Sequence, residues 1–240
     1  MNHGLYHSAI AISRGARAQE LHAENIANAH VPGYRRNEAS FGAFGSMFDQ
    51  AMGAGSDFKT FSVTRVFEQG TLDQSRNKYD LALEGPGFLT VQGPGGETLY
   101  TRAGNLTLGA DATLQTHDGR QVLGTSGAIR LDPNGPEPEV GIDGTVSQGD
   151  VPVGQLRIVE FPEPYPLTLE SSVYFRAQPG AIPGEPDNTQ VRQGYRETSN
   201  VNIMEEMITM MSSFRQFEKA QKVMTTINGT LQQLLSRASS

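Results

Sequence analysis

Residues 203–235 read IMEEMITMMSSFRQFEKAQKVMTTINGTLQQLL. Along them Ile203, Met207, Met210, Phe214, Phe217, Gln221, Met224, Asn228, Leu231 and Leu235 recur at alternating spacings of four and three. That spacing draws a narrow stripe down one side of an α-helix, the seam that a coiled coil buries. Only Gln221 and Asn228 interrupt it. Asn200 or Asn202 suits the N-cap. Glu205 and Glu206 then fall in the first turn, where the helix dipole favours negative charge. The other end of the chain repeats the pattern with Leu5, Ala9, Ile12, Ala16, Gln19, Ala23 and Ile26. This predicts a first helix over 4–28, with Asn28 as its C-terminal cap and Pro32-Gly33 as its stop.

Between the two helices the chain is rich in turns and short β segments. Strand signals start near Phe58, and Lys59 to Val66 alternates in part. Phe88 to Gln92 and Thr98 to Arg102 read as a hairpin turned by Gly93-Pro94-Gly95-Gly96. Leu106 to Leu108, Thr113 to Thr116 and Gln121 to Leu123 follow as short strands. Val140 to Val146 holds a hairpin turned by Asp143-Gly144, and Gly154 to Phe161 reads as one late strand. This density of turns predicts a β meander or small barrel. Residues 162–187 carry six prolines and are expected to form an ordered loop. Residues 41–55 are read as an irregular arm. A β body framed by two seam helices suits a subunit whose ends pack into a larger assembly better than it suits an enzyme.

The 240 residues suffice for one large or two modest domains. With 37% hydrophobic residues, 8% aromatics and no Trp, the expected core is lean and aliphatic. The net charge of −7, without a basic run, argues against a nucleic-acid partner. No run is long enough to span a bilayer. No charged N-terminal region leads into an apolar core, so no cleavable secretory signal is expected. The absence of cysteine excludes disulfides and thiolate metal sites and leaves the redox compartment open. His3 and His7 have the spacing of a helical metal pair but lack a third partner nearby, and His22, His30 and His117 are scattered, so no metal is expected. No nucleophile motif is present, and the Gly-rich turns precede no helix that could cradle phosphate. Asp80, Glu84, Asp111 and Asp118 are the best-placed carboxylates for acid–base chemistry. Each sits at a strand end or turn, where solvated carboxylates are common. Catalytic residues and cofactors are therefore not expected.

Three segments together resemble the flagellar axial proteins, the rod and hook subunits of the bacterial flagellum. The first is Glu24-Asn25-Ile26-Ala27-Asn28-Ala29-His30-Val31-Pro32-Gly33-Tyr34-Arg35-Arg36. The second is Asp80-Leu81-Ala82-Leu83-Glu84-Gly85-Pro86-Gly87-Phe88-Leu89-Thr90-Val91, continuing to Tyr100-Thr101-Arg102-Ala103-Gly104-Asn105-Leu106. The third is Gln193-Gly194-Tyr195-Arg196-Glu197-Thr198-Ser199-Asn200-Val201-Asn202, running on to Glu205-Glu206-Met207. His30-Val31 replaces the family's usual Ser/Thr-Thr, and Leu89 replaces a second Phe. The residues that carry the family pattern are Asn25, Asn28, Pro32, Gly33, Asp80, Gly85, Gly87, Phe88, Thr101, Arg102, Gly104, Ser199, Asn200 and Asn202.

The resemblance implies an α+β fold. Its N- and C-terminal helices would pair as an elongated coiled-coil-like domain, with a central, mainly antiparallel β domain. The implied partition is 1–35 (first axial helix), 36–78 (connecting arm and first strands), 79–192 (β domain) and 193–240 (second axial helix). Leu5, Ile12, Ile26, Ile203, Met207, Met210, Phe214, Phe217, Met224 and Leu231 would pack subunits together. The implied function is structural: a subunit of the basal-body rod that assembles with other rod proteins and copies of itself and transmits torque from motor to hook. Export unfolded through the flagellar type III apparatus, without a cleaved signal, would place it in the periplasmic space. Phe44 and Phe48 resemble a short motif that engages the export gate. Within the family, the short stretch from Arg36 to Phe58 favours the proximal F-type over the distal G-type, and the chain is too short for a typical hook subunit, which leaves a short hook-like protein as a further alternative. The rival of another class is a ligand-binding β module on a helical dimerisation stalk.

Overall fold

The computed structural model describes residues 2–41 and 61–238. It is α+β, with two helices and a mainly antiparallel β domain, and it divides into two compact units.

The first unit comprises Met1–Ala29, Arg36–Val66 and Val201–Ser240. It holds helix α1 (Asn2–Ala27), the antiparallel pair β1 (Asn37–Phe41) and β2 (Phe61–Arg65), and helix α2 (Ile203–Ala238). The N-cap of α2 is Asn202, whose Oδ1 accepts the backbone N–H groups of Met204 (3.2 Å) and Glu205 (3.4 Å). Neither helix is long and apolar enough to cross a membrane.

The two helices lie against each other, but not along the expected stripe. On α1 the buried line is Ser8, Gly15, Ala18 and Asn25, joined by Leu21. Each of the four sits one position before a member of the predicted heptad. On α2 the inward line runs through Ile203, Glu206, Met210, Ser213, Phe217, Ala220, Met224 and Ile227. Ile203, Met210, Phe217 and Met224 of the predicted stripe are therefore half-buried. Met207 and Phe214 face solvent, 50% and 49% exposed. The shift has a physical cause. Small residues let the helix backbones approach closely, so that a Cβ on Gly15 would lie 3.1 Å from the Phe217 Cβ. The polar members of the line are paired: Asn25 with Asn37 and Glu206 with His22. Ile12 and Ile26 flank the line, half-buried; Leu5 and Leu231 fall within α1 and α2.

The second unit comprises His30–Arg35 and Phe67–Asn200. It is an assembly of small antiparallel sheets, not one meander. The largest sheet has five strands, in the order Ile158–Val159, Phe88–Gln92, Thr98–Thr101, Tyr174–Ala177, Leu167–Ser171. Its last two strands form a hairpin inside the Pro-rich segment that reads as a loop. The six prolines frame the hairpin: Pro162, Pro164 and Pro166 precede it, and Pro179, Pro183 and Pro186 follow it. All lie outside its ladder, where a missing N–H costs no sheet bond. The single strand expected over 154–161 is instead split between Val151–Gln155 and Ile158–Val159.

The core of this sheet is also not lean and aliphatic. Phe88, Tyr100, Val159, Phe161 and Phe175 form a buried cluster, with Phe67 and Tyr165 against it. Ring centroids stand 4.6–6.2 Å apart, mostly tilted or edge-on, the geometry that aromatic quadrupoles prefer. A low aromatic fraction concentrated in one place still makes a dense core.

Tyr174 braces the sheet. Its buried hydroxyl donates to Asp118, which also accepts from the Thr116 hydroxyl at 2.6 Å and from Arg120 Nε at 3.0 Å. The Arg120 guanidinium lies 4.3 Å over the Tyr174 ring. Burial, and then the hydrogen bond to Asp118, push the phenol well above its ordinary value. A phenol whose pKa is raised on folding contributes stability that is full below the unfolded pKa of about 10 and is lost as pH rises toward the folded value. Urea melts above about pH 10 should therefore show stability falling with pH, and Tyr174→Phe should make that fall shallower. An unchanged slope in the variant would remove Tyr174 as its source.

Candidate functional site

The three family-like segments contribute to one buried cluster in the second unit. Its centre is the Glu197 carboxylate, 0% exposed. Arg35 Nη2 donates to Glu197 Oε1 at 2.7 Å, and Arg102 Nη1 stands 3.5 Å from Oε2. Gly70 N–H donates to Oε1 at 3.0 Å. Both guanidinium groups are enclosed, with side chains 1% and 3% exposed. Arg102 also donates from Nη2 to the Gly85 carbonyl at 2.6 Å and lies 5.0 Å over the Phe88 ring. Burial pushes Arg102 down to about 10; Glu197 opposes this and Arg35 adds to it.

Short-range backbone geometry brings these groups together. The turn through Pro32 closes with Tyr34 N–H on the Val31 carbonyl, and Gly33 N–H donates to the Glu197 carbonyl at 2.9 Å. Gly33 has a φ of +71°, and a Cβ there would lie 2.4 Å from the Ala103 nitrogen. Gly104 packs still closer: an added Cβ would lie 1.6 Å from the Leu81 carbonyl oxygen. Only glycine permits these approaches.

Other residues of the family pattern secure neighbouring backbone. The Thr101 hydroxyl donates to the Val173 carbonyl at 2.9 Å and accepts Ala103 N–H at 3.0 Å. Gly85 N–H reaches Gln69 Oε1 at 3.2 Å, and Gly87 N–H reaches the Thr189 hydroxyl at 2.8 Å. The Asn200 amide donates to the Glu68 carbonyl at 3.0 Å, and Ser199 is buried nearby in sequence.

Asp80 departs from the expectation of a solvated turn carboxylate. It is 4% exposed, accepts from the Ser75 hydroxyl and the Asn77 amide, and lies 3.4 Å from Arg196 Nε. Asp118 also does more than meet solvent, since it receives the Tyr174 hydroxyl. Glu84 and Asp111 do lie at the surface. Glu84 pairs with Arg192 at 2.8 Å, and Asp111 accepts from Thr113, Gln115 and Gln121.

The first unit has two polar ties of its own. Asn25, 0% exposed, exchanges two hydrogen bonds with the Asn37 backbone, donating at 2.8 Å and accepting at 2.9 Å. A helix stop alone does not require Asn25; anchoring the start of β1 does. Asn28 caps its own helix by donating to the Glu24 carbonyl at 2.8 Å. Glu206, 3% exposed, receives His22 Nδ1–H at 2.5 Å and has Arg36 Nη1 at 3.7 Å. Phe44 and Phe48 lie outside the described residues. Among the described residues no cluster of three or more His, Cys, Asp or Glu is placed to hold a metal.

Within the motifs Arg35 and Glu197 do not stand out in the sequence, and there Glu206 reads as a first-turn acid and His22 as one of the scattered histidines. The available signal was charge inside the motifs: Arg35 directly follows Pro-Gly-Tyr, and Glu197 lies four residues beyond Gln193. In the second unit Arg35, Arg102 and Glu197 build a structural clasp. Its charges are buried, two guanidinium groups around one carboxylate.

Residues 82–148 match the family model described as "Flagellar hook protein FlgE/F/G D1 domain", and residues 192–237 match "Flagellar basal body rod FlgEFG protein C-terminal". The flagellar basal-body rod protein FlgF of Salmonella typhimurium is 31% identical over 98% of this chain and 99% of its own length. FlgF of Caulobacter vibrioides is 31% identical over 87% and 86%. FlgG of Buchnera aphidicola subsp. Schizaphis graminum is 29% identical over 92% and 95%. The chain belongs to the flagellar basal-body rod proteins of the FlgF/FlgG type, a family of structural proteins of the rod.

The clasp makes a graded prediction. Glu197→Gln leaves two buried guanidinium groups without a counter-charge and should cost about 3–5 kcal/mol. Arg102→Met leaves the Arg35–Glu197 pair intact and should cost less. Denaturant unfolding of the full chain, with both variants compared to wild type, measures the order. Equal losses would mean that charge balance does not govern the cluster.

Proposed function

We propose that this chain fills the proximal, F-type place in the rod and there passes torque from the motor to the hook. The observation that carries this reading is the row of large apolar side chains that α2 leaves in solvent: Met204, Met207, Ile208, Met211 and Phe214. On an isolated protein such a row is a liability; in an axial filament it is contact surface. Identity to FlgF over nearly the whole of both chains supports the F-type place. FlgG relatives at 29% identity over more than nine-tenths of this chain favour the G-type distal place as the second reading.

In this proposal the terminal helices form an elongated coiled-coil-like axial domain that packs against copies of the chain and other rod proteins. Residues 1–35 and 193–240 supply it, 36–78 connect it, and 79–192 form the β domain. The chain performs no catalysis and binds no nucleic acid. It is exported by the flagellar type III apparatus without a cleaved signal and assembles in the periplasmic space, with Phe44 and Phe48 as the export-gate contact.

Basal bodies isolated from a strain lacking this chain separate the two places. Loss of an F-type subunit leaves the proximal segment itself incomplete. Loss of a G-type subunit leaves the proximal segment built.

Phe214→Asp tests the contact surface in the same strain. Because Phe214 is half exposed in the single chain, the variant should fold and be exported normally yet fail to enter the rod, and swimming should be lost. Helix content by circular dichroism, secreted protein and motility are the readouts. Motile cells with normal levels of the variant would remove this row from the assembly.

A further inference from the structure

The first unit carries two surfaces of opposite relief. One is the apolar ridge on α2, whose members range from 49% exposed at Phe214 to 69% at Met204. At about 100° per residue, Met204, Met207, Ile208, Met211 and Phe214 fall within an arc of about 120°. The other is a groove of about 740 Å³ along α1, α2 and the start of β1, lined by the small residues Ala11, Gly15, Ala18, Thr209, Ser212 and Ser213 and also by charged ones, among them Arg14, Arg36, Glu205 and Glu206. The small side chains leave room for a row of Met, Ile and Phe, and the stems of the long charged ones can pack along it. By the same helical count, the groove side of α2 faces about 150° away from the ridge.

We propose that the ridge of one copy seats in the groove of a second copy of this chain. This rests on the rod reading above and deepens it by naming which face meets which. The area suffices. Five side chains of roughly 200 Å² each, exposed to this degree, offer roughly 600 Å². Matched on the other copy, that gives about 1,200 Å², the lower bound for a specific interface. Because ridge and groove lie on different faces, one contact leaves a free ridge on one copy and a free groove on the other. The contact is heterologous and does not close on itself, so it can propagate. Methionine suits such a ridge, because its flexible thioether adapts to a seat of imperfect shape.

The absence of cysteine makes the test direct. Full-length Met211→Cys (ridge) and Ala11→Cys (groove), carrying different tags, are co-expressed in cells lacking the native chain. Basal bodies are purified and treated with a short bis-maleimide. Met211→Cys should join Ala11→Cys at least tenfold more than either variant joins itself. Val223→Cys, an exposed position off both surfaces, should join Ala11→Cys no more than background. Predominant Met211→Cys self-joining would mean ridge meets ridge and overturns the proposal. So would incorporated chains that cross-link only to other axial proteins, which would leave the rod reading standing. Well-expressed chains absent from purified basal bodies, with the wild-type chain equally absent, would overturn the rod reading itself.

Discussion

One carboxylate holds the second unit in register. Glu197 binds Arg35, 162 residues away in sequence, and Arg102, 95 residues away. It also takes the Gly70 N–H, and the Gly33 N–H meets its backbone carbonyl. Two cations on one anion leave the cluster with an excess positive charge in a place closed to water, where an unpaired charge is costly. The Gly85 carbonyl and the Phe88 ring take part of that excess through Arg102. An apolar plug of the same volume could be as stabilising, but it would accept several pairings of these segments. A carboxylate placed for two guanidinium groups accepts one. The close approaches at Gly33 and Gly104 follow from that demand, because the Arg35 and Arg102 backbones must come near enough for both side chains to share Glu197.

Much of the architecture was legible because it rests on local rules. Periodicity marked both helices, the cap was narrowed to Asn200 or Asn202, of which the structure uses Asn202, and Gly93-Pro94-Gly95-Gly96 announced its hairpin. What escaped were features decided by distant partners. The hairpin over 167–177 was hidden by prolines that frame it without entering it. The aromatic core was hidden because composition counts rings and does not locate them. Asp80 looked solvated because its neighbours in sequence are polar, yet those same neighbours, Ser75 and Asn77, fold over it. Of the clasp, Arg102 and the glycines belonged to the family pattern. Arg35 and Glu197 lay inside the motifs without standing out, since a buried salt bridge has no periodicity to read.

The helix pair shows most clearly why an apolar stripe is an incomplete guide. A heptad count assumes that the largest hydrophobic residues face the nearest helix. Here Gly15, Ala18, Ser213 and Ala220 occupy that line, and Asn25 and Glu206 are admitted to it because Asn37 and His22 satisfy them. The pair gains close approach and polar specificity, and it gives up the burial that Met207, Ile208, Met211 and Phe214 would have supplied. That surrendered burial is not small, since each such side chain is worth about 1.5–3 kcal/mol when fully covered.

The consequence is a division of stability between the single chain and the assembly. A long helix held by small and polar contacts stays marginal alone, because its propensity cannot carry 36 residues against chain entropy. On the proposed packing, covering the remaining apolar row would add binding free energy that only the folded helix can receive, so a seated neighbour would stabilise α2 by linkage. Burying the row within the chain would stabilise the monomer and leave nothing for its neighbours to hold.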